Sequence, residues 1–342
     1  EPIGQFGTRL MGGDDAAQSR YIFTKLSPLT RLLYKSEDDR LCKALDDDGF
    51  QIEPEYYYPV LPSLLINGSQ GIGTGFSTDI PKYNPLDIAK YILNKMEDKE
   101  LNILKPWYRG FTGFVEPTSP GSYITRGRFE YLSEGTIRIT ELPIGIWTEK
   151  YIEFLDKISV ERGKETAKNF VRSFKDDSTE TNVNITVKIN PINIKKWSNK
   201  FGKDGVNELE NRLKLTSSIS VTNMHMFNED CKITKFKCVT DIIDRWFNIR
   251  KNIYIKRRDY LLEHLKKELD IIKFKVKFIM EIISETLEIR NVKKKTIIDK
   301  LVEKNYPKFA IKEGPASYDY LLGMDLYKLT SDEIEELKKR EE

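Results

Sequence analysis

Residues 239–288 read VTDIIDRWFNIRKNIYIKRRDYLLEHLKKELDIIKFKVKFIMEIISETLE, and this stretch decides the architecture. It holds neither proline nor glycine, so nothing in it breaks a helix. Its apolar residues recur three or four positions apart, which predicts one face of a single α-helix. Such a helix would run about 70 Å and is typical of a coiled coil or a projecting arm. The apolar positions are Ile242, Trp246, Ile249, Ile253, Tyr260, Leu261, Leu265, Leu269, Ile272, Val276, Ile279 and Ile283.

Two further helices are predicted after the long one. Residues 293–304 predict the first of them. The segment Thr330-Ser-Asp-Glu333 predicts a capping box, in which the two end residues satisfy backbone N–H groups where a charged helix begins. We expect this last helix to return along the long one.

The region before the long helix mixes strands and helices. Strands are predicted at 111–115, 123–132, 136–139 and 183–189, and helices at 151–160 and 208–215. Near the start, β-forming residues at 21–26 predict a short strand. Residues 54–82 are rich in proline and glycine and predict turns without a helix. The sequence therefore predicts an α+β protein of several domains, as its 342 residues also suggest.

Two helix starts are predicted by a capping residue followed by proline, at Ser27-Pro28 and at Asn84-Pro85. The predicted apolar faces of these helices are Leu29, Leu32 and Leu33 in the first, and Ile88, Tyr91, Ile92 and Met96 in the second.

Composition restricts the chemistry that the chain can perform. His225 and His264 are the only histidines, which argues against a histidine-based triad and against a site with several histidine ligands. The three cysteines lack zinc-ligand spacing, so no metal ligands are predicted here, and reducing, intracellular conditions fit best. No apolar run approaches the roughly 20 residues that span a bilayer, so no membrane partner is expected. Net charge is only +3, yet basic runs at 195–196, 250–251, 256–258 and 293–295 allow local anion-binding faces, although such runs on helices are more often solvated faces.

A glycine-rich segment over residues 4–21 ends at Arg20 and Tyr21. Glycines at 4, 7, 12 and 13 allow the backbone to approach another group closely. A tyrosine phenol has a pKa near 10, so it attacks a phosphodiester only when its developing phenolate is stabilised. An adjacent guanidinium suits that role. An arginine beside a tyrosine is also compatible with ordinary packing, which is the default interpretation.

A second glycine-rich segment reads NGSQGIGTGFS over residues 67–77. Its spacing differs from that of a dinucleotide fingerprint, and no βαβ unit surrounds it, so a nucleotide-binding enzyme is a remote alternative. Two interpretations of Ile72 stay open. Its side chain could pack in the core beneath a turn, or it could act as an apolar wedge between base pairs.

Two blocks carry a resemblance to a known family. GQFGTRLMGGDDAAQSRYIFTKLSPLTRLLY (residues 4–34) and DDDGFQIEPEYYYPVLPSLLINGSQGIGTGFS (residues 46–77) closely resemble the winged-helix region of eukaryotic-type type IIA DNA topoisomerases. The resemblance continues through the blocks at 141–143, 147–148, 246–247 and 320–330. The bacterial gyrase A subunit shares the overall plan, but the IGTGFS loop favours the eukaryotic-type branch.

The resemblance implies a division into three parts. Residues 1–83 would be part of the winged-helix DNA-binding and cleavage region, residues 84–238 an α/β tower domain, and residues 239–342 a coiled-coil arm and the start of the C-terminal dimer gate. The family works as a homodimer through the winged-helix region and the C-terminal gate, on double-stranded DNA. Mg²⁺ and ATP would both be bound by modules outside this chain. The nucleus is the implied location, with a cytoplasmic viral factory as the alternative for a viral protein.

The resemblance also implies roles for single residues. Tyr21 would attack DNA and form a 5′-phosphotyrosine link, and Arg20 would stabilise the transition state. Ile72 would intercalate and bend the DNA, while Trp147 would contact its flanking backbone. Many relatives carry histidine and lysine at positions 11 and 14, where this sequence has methionine and aspartate, so DNA binding is not carried over to either position. A DNA-binding coiled-coil scaffold without catalysis is the alternative function.

Overall fold

The long apolar-patterned stretch forms one helix, Val239–Ile283, in a computed structural model that describes residues 1–160, 165–202, 204–289, 291–310 and 315–341. The helix ends before residue 288 because Glu285 adopts a left-handed φ of 60°. The Thr286 hydroxyl donates to the Glu281 carbonyl at 3.0 Å and satisfies an acceptor that the helix leaves open. The chain forms two compact units, Glu1–Lys251 and Asn252–Glu342, and this helix contributes to both.

The first unit combines short helices with antiparallel strands. Its helices are α1 (Thr30–Leu33), α2 (Ser36–Asp39), α3 (Ser63–Asn67), α4 (Pro85–Met96), α5 (Thr148–Lys157), α6 (Pro191–Ser198), α7 (Glu208–Arg212) and the first part of α8 (Val239–Ile283), with a 3₁₀ turn at Ser19–Tyr21. Its strands are β1 (Pro2–Ile3), β2 (Phe23–Thr24), β3 (Ala44–Asp47), β4 (Phe50–Pro54), β5 (Ser69–Gly73), β6 (Phe76–Ile80), β7 (Phe114–Ser119), β8 (Ser122–Arg126), β9 (Arg128–Ser133), β10 (Thr136–Glu141), β11 (Val171–Asp176), β12 (Ile185–Ile189), β13 (Thr216–Ser220), β14 (Met224–Phe227) and β15 (Ile233–Phe236).

A sheet of order β11-β12-β10-β9 covers the main core of this unit. Side chains alternate along β10, so that Ile137 and Ile139 are fully buried and Arg138 between them is half-buried. The same alternation places Glu141 on the buried side of the sheet. Helix α5 packs its Tyr151 and Leu155 into this core. The sheet therefore holds a buried carboxylate at the end of β10.

The predicted strand at 123–132 is wrong as a single element, because it divides at Gly127 into β8 and β9. These two strands lie in different sheets, since β8 pairs with β7 and β13 while β9 pairs with β10. The Gly127 N–H donates to the Leu215 carbonyl at 2.9 Å, and a Cβ at this position would overlap the Glu141 carbonyl oxygen. Only glycine allows so close a crossing of the two sheets.

A second core joins α4, the β14–β15 hairpin and the start of α8. It contains Leu65, Ile80, Tyr83, Ile88, Tyr91, Ile92, Leu104, Met224, Phe236, Val239, Ile242 and Ile243. Asn84 caps α4 by accepting the Leu86 N–H at 2.9 Å, as predicted. Met96 of the predicted apolar face is exposed instead of buried. The division into three domains at residues 83 and 238 stays a prediction.

The early segment differs from its prediction in three places. The expected strand at 21–26 is reduced to β2, because Tyr21 N–H donates to the Gln18 carbonyl and closes the 3₁₀ turn. Helix α1 leaves Leu29 and Leu32 exposed, so the expected apolar face is not buried within this chain. The region expected to contain only turns holds α3 and the β5–β6 hairpin.

The second unit contains the rest of α8 with α9 (Lys294–Glu303), α10 (Asp319–Leu322) and α11 (Ser331–Glu341), and a 3₁₀ turn at Leu326–Lys328. Thr330 caps α11, its hydroxyl accepting the Glu333 N–H at 3.4 Å. Leu337 of α11 packs against Val276 and Ile279 of α8, which confirms that the last helix returns along the long one. No helix within the described ranges is long and apolar enough to cross a bilayer.

A candidate DNA-cleavage site

The first glycine-rich segment, residues 4–18, forms a closed loop. Asp15 accepts the backbone N–H of Thr8 at 2.9 Å and also its hydroxyl. These hydrogen bonds lower the pKa of Asp15 below its usual range. Ala17 N–H donates to the Gln5 carbonyl at 3.0 Å, which joins the two ends of the loop. Gly7 lies directly against the backbone of Gly13, where a Cβ would overlap, so the glycines do permit close approach.

Residues 141–149, from the end of β10 into α5, hold this loop from one side. The Arg9 guanidinium forms an ion pair with Glu141, whose side chain is only 1% exposed. Glu149 N–H donates to the Leu10 carbonyl at 3.0 Å. The Trp147 indole lies against Gly12, so that any Cβ on this glycine would overlap the ring. The loop is therefore fixed to the sheet by a charge pair, a backbone hydrogen bond and a ring contact.

Substitution of Gly12 by alanine is expected to destabilise the first unit by about 2 kcal/mol or more. Gly12 has a φ of 67° and no room beside Trp147, so the new methyl group adds backbone strain and a clash. Gly13→Ala is the matched control, because Gly13 also has a positive φ but no atom within 4 Å of its Cβ position. Urea unfolding of both variants measures the difference. Equal losses would show that the indole contact contributes nothing.

Arg20 and Tyr21 follow directly after the loop and lie side by side. The Cζ of Arg20 lies 5.1 Å from the centroid of the Tyr21 ring, within the range of a cation–π contact. Tyr21 is 63% exposed, and Arg20 is exposed as well. This exposure is incompatible with the default interpretation of Tyr21 as an ordinary packed side chain. The Tyr21 side chain is accessible to a ligand, and a positive charge lies over its ring.

Ile72 lies near the tip of the β5–β6 hairpin and is 95% exposed. The interpretation that it packs in the core is therefore wrong. The strands pair through Ile72 with Ser77 and through Gly73 with Phe76, and Gly75 takes a φ of 79° in the turn between them. An apolar side chain is thus presented at the end of a narrow ribbon.

Strand β14 and the residue before it brace this hairpin through contacts that the sequence did not predict. The Asn223 side chain donates to the Ser77 hydroxyl at 2.9 Å, and the Asn223 carbonyl accepts the Asp79 N–H at 2.8 Å. His225 lies edge-on to Phe76, with ring centroids 6.1 Å apart. Asparagine before a short strand is a common turn signal, so nothing local distinguished Asn223 as a brace.

Trp147 is 36% exposed at the N-cap position of α5, so one part of its ring contacts Gly12 and another part remains accessible. Asp14 lies 3.6 Å from Lys150 in an exposed ion pair. Of the predicted site residues, Arg20 and Tyr21 contact each other directly. Trp147 contacts the glycine loop at Gly12, and Glu149 of α5 is hydrogen-bonded to the same loop at Leu10. Sequence analysis missed Arg9 and Glu141 as a pair, although a glutamate at an inward-facing strand position signals a buried partner.

In the part of the chain that the structure describes, no group of three or more histidine, cysteine, aspartate or glutamate side chains could hold a metal ion. The Mg²⁺ that the family resemblance implies is expected on a module outside this chain.

Comparison with known proteins agrees with these features. The profile of the family of DNA gyrase/topoisomerase IV A subunits matches residues 1–342, and the chain belongs to this family. Its relatives include proteins named DNA topoisomerase 2, which confirms the resemblance to the eukaryotic-type branch. The one from Acanthamoeba polyphaga mimivirus is 34% identical over 99% of this chain, and the one from Saccharomyces cerevisiae is 38% identical over 93%.

A solved structure shows the same fold. The DNA-binding, cleavage and re-ligation domain of Plasmodium falciparum topoisomerase II matches 99% of this chain with a TM-score of 0.79 and 35% identity. The chain covers 48% of that structure's chain. It spans 31% of the mimivirus protein and 21% of the yeast protein. The expected mixture of helices and sheets is thereby confirmed.

Proposed function

We propose that this chain is the DNA-gate segment of an ATP-dependent type IIA DNA topoisomerase, an isomerase that passes one duplex through a transient break in another. The observation that carries the proposal is the exposed Tyr21 phenol beside the Arg20 guanidinium, at the end of a loop fixed to the sheet. The names of the relatives support it, since the chain aligns with them over nearly its whole length.

Tyr21 acts as the nucleophile. Its phenol oxygen attacks a DNA phosphorus, the bond from phosphorus to the 3′ oxygen breaks, and a 5′-phosphotyrosine forms. The phenol gives up its proton, and the released 3′ oxygen takes one up. Arg20 neutralises the charge that develops on the phosphoryl oxygens. The reverse attack by the 3′ hydroxyl restores the DNA without an external energy source, because one phosphoester bond replaces another.

The protein works as a homodimer, so that each copy cuts one strand. Exposed apolar side chains in the first 83 residues support a dimer interface there, since patches of this kind usually mark a partner surface. They include Phe23 (64%), Leu26 (80%), Leu29 (61%), Leu32 (59%) and Phe50 (76%). In this proposal residues 1–83 belong to the winged-helix region, residues 84–238 to the tower, and residues 239–342 to the coiled-coil arm leading to a second dimer contact at the C-terminal gate.

Mg²⁺ and ATP are proposed to bind segments of the full-length protein other than this chain. Trp147 is proposed to contact the DNA backbone with the exposed part of its indole. The proposed location is the nucleus, with a cytoplasmic viral factory as the alternative, which the mimivirus relative keeps open.

The test is the covalent product itself. The full-length protein is incubated with linear duplex DNA and Mg²⁺, denatured with detergent and digested with protease, and the peptide attached to the DNA 5′ ends is identified by mass spectrometry. We expect the attached residue to be Tyr21. The competing function, a coiled-coil scaffold that only binds DNA, predicts DNA retention before denaturation and no attached peptide afterwards.

Ile72 is proposed to insert between base pairs and bend the cleaved duplex. Unstacking costs a few kcal/mol, which the wrapped protein surface offsets. Ile72→Ala removes roughly 1–2 kcal/mol of apolar burial against the bases, so we expect less bending and about tenfold less cleavage. Fluorescence transfer between the DNA ends measures the bend. Ile192→Ala, which truncates another highly exposed isoleucine (74%) on α6, is the control. Unchanged bending in Ile72→Ala would contradict the wedge.

A further inference from the structure

The Arg9–Glu141 pair joins the end of β10 to the glycine-rich loop, residues 4–18, which leads directly to the proposed nucleophile Tyr21. Resting on the function proposed above, we propose that Glu141 is a positioning residue for the cleavage reaction. It holds Arg9, and through the closed loop it sets the place of Tyr21. Glu141 itself touches no reacting atom in this scheme.

Glu141 is built as a fixed anchor. Its carboxylate accepts the Arg9 guanidinium, the Thr112 N–H at 3.0 Å, the Thr112 hydroxyl at 3.0 Å and the Leu142 N–H at 2.9 Å. With 1% of the side chain exposed, these donors replace the water that the charge has lost. Burial also lowers the pKa of Arg9. Because both carboxylate oxygens accept hydrogen bonds, the Glu141 side chain is held in one orientation.

The loop transmits this position through short contacts. Thr8, which precedes Arg9, donates its N–H and its hydroxyl to the Asp15 carboxylate. Ala17 is hydrogen-bonded to Gln5, which places both ends of the loop together. At that junction Gly4 lies against the backbone of Tyr21, where a Cβ would be only 3.0 Å from the Tyr21 carbonyl oxygen. A shift of Arg9 would therefore be passed to the backbone of the nucleophile.

In-line attack on phosphorus is sensitive to such shifts. A displacement of about 1 Å by a mutation far from the chemistry can lower a rate by roughly 100-fold. The Tyr21 side chain is 63% exposed, so its backbone must supply the precision. The buried Arg9–Glu141 pair holds the loop in place, and the loop in turn holds the Tyr21 backbone.

The test compares two buried glutamates in the same unit. Glu141→Gln keeps the shape of the side chain and removes its charge. Glu210→Gln is the matched control, since Glu210 is also buried (6% exposed) and paired with an arginine, Arg126 Nη2 at 2.7 Å, but makes none of the loop contacts above. Single-turnover cleavage at saturating DNA, the DNA dissociation constant and the unfolding midpoint are measured for the full-length protein.

Glu141→Gln is expected to lower the cleavage rate by roughly 10-fold or more, with DNA affinity within about 2-fold of wild type. Glu210→Gln should lose a similar amount of stability and keep its cleavage rate. Equal rates in the two variants, or a loss only in DNA affinity, would overturn the positioning role. A wild-type protein that forms no covalent product would overturn the proposed function as well, so the two failures are distinguishable.

A second variant covers the case in which Glu141→Gln does not fold. Arg9→Lys keeps the charge opposite Glu141 but lacks the planar fork that fixes the arginine. We expect faster amide hydrogen exchange at Gly12, Ala16 and Ala17 in the DNA-free protein, together with slower cleavage. Exchange and cleavage both equal to wild type would overturn the proposal without any reference to Glu141→Gln.

Discussion

Tyr21→Phe is expected to abolish covalent attachment to DNA completely, while the DNA dissociation constant stays within about 2-fold of wild type. The substitution removes the one oxygen that is proposed to attack phosphorus and leaves the aromatic ring on which Arg20 lies, with its Cζ 5.1 Å from the centroid. Surface charge and ring contacts are unchanged, so binding should survive. Detergent-trapped covalent product and an equilibrium DNA-binding measurement on the full-length protein give the two readouts.

Tyr327→Phe is the control for this experiment. Tyr327 is likewise exposed (72%), with the Lys328 ammonium 5.8 Å from its ring centroid, so the surroundings of its ring resemble those of Tyr21. Wild-type levels of covalent product are expected from this variant. A trapped adduct in Tyr21→Phe would assign the nucleophile to another residue and remove the basis of the proposed function.

Asp38→Ala is expected to cost the first unit about 3–5 kcal/mol of unfolding free energy. The Asp38 carboxylate lies 2.6 Å from the Arg250 guanidinium, and both side chains are only 4% exposed. Arg250 also donates to the Tyr58 carbonyl at 3.1 Å, so the pair joins α2 and the adjoining segment to α8. Truncating the carboxylate leaves a positive charge in a poorly solvated place without this counter-charge.

The neighbouring residue supplies the control. Asp39 pairs with Arg31 at 2.8 Å, but these side chains are 43% and 63% exposed, so Asp39→Ala should change stability little. Urea unfolding of the two variants measures the difference. Replacing Asp38 and Arg250 together by leucine and methionine should recover most of the loss, because neither charge of this pair then remains buried. Similar losses in the two alanine variants would show that burial of the Asp38 pair is energetically unimportant.

The long helix was predictable and its end was not. Apolar residues at helical spacing over residues 239–283, without proline or glycine, leave few alternatives to one helix. Its termination depends on the left-handed backbone of Glu285 and on the Thr286 hydroxyl reaching Glu281, which have no signature in periodicity. Gly127 shows the same limit, because a lone glycine in a strand pattern does not reveal that the chain changes sheets there.

The site was predictable only through resemblance. From spacing alone, Tyr21 is one of 17 tyrosines, and its exposure depends on the closed loop before it. From spacing alone, Ile72 between glycines favours a core turn over an exposed tip, and the pairing of β5 with β6 places it at the tip. The burial of Glu141 could have been predicted, since side chains alternate along β10 and this residue lies on the same buried face as Ile137 and Ile139. Its partner Arg9 lies too far away in sequence to be predicted.

The β5–β6 hairpin places few constraints on the side chain at position 72. Gly71 has no atom within 4 Å of its Cβ position and Gly73 only one, at 3.8 Å, while Asn223 and His225 hold the opposite strand in place. The side chain at position 72 thus contributes almost nothing to folding. Its size and shape are free to vary without cost to the fold, while the support beneath stays the same. The residue at the tip can therefore change without altering the β5–β6 hairpin that supports it.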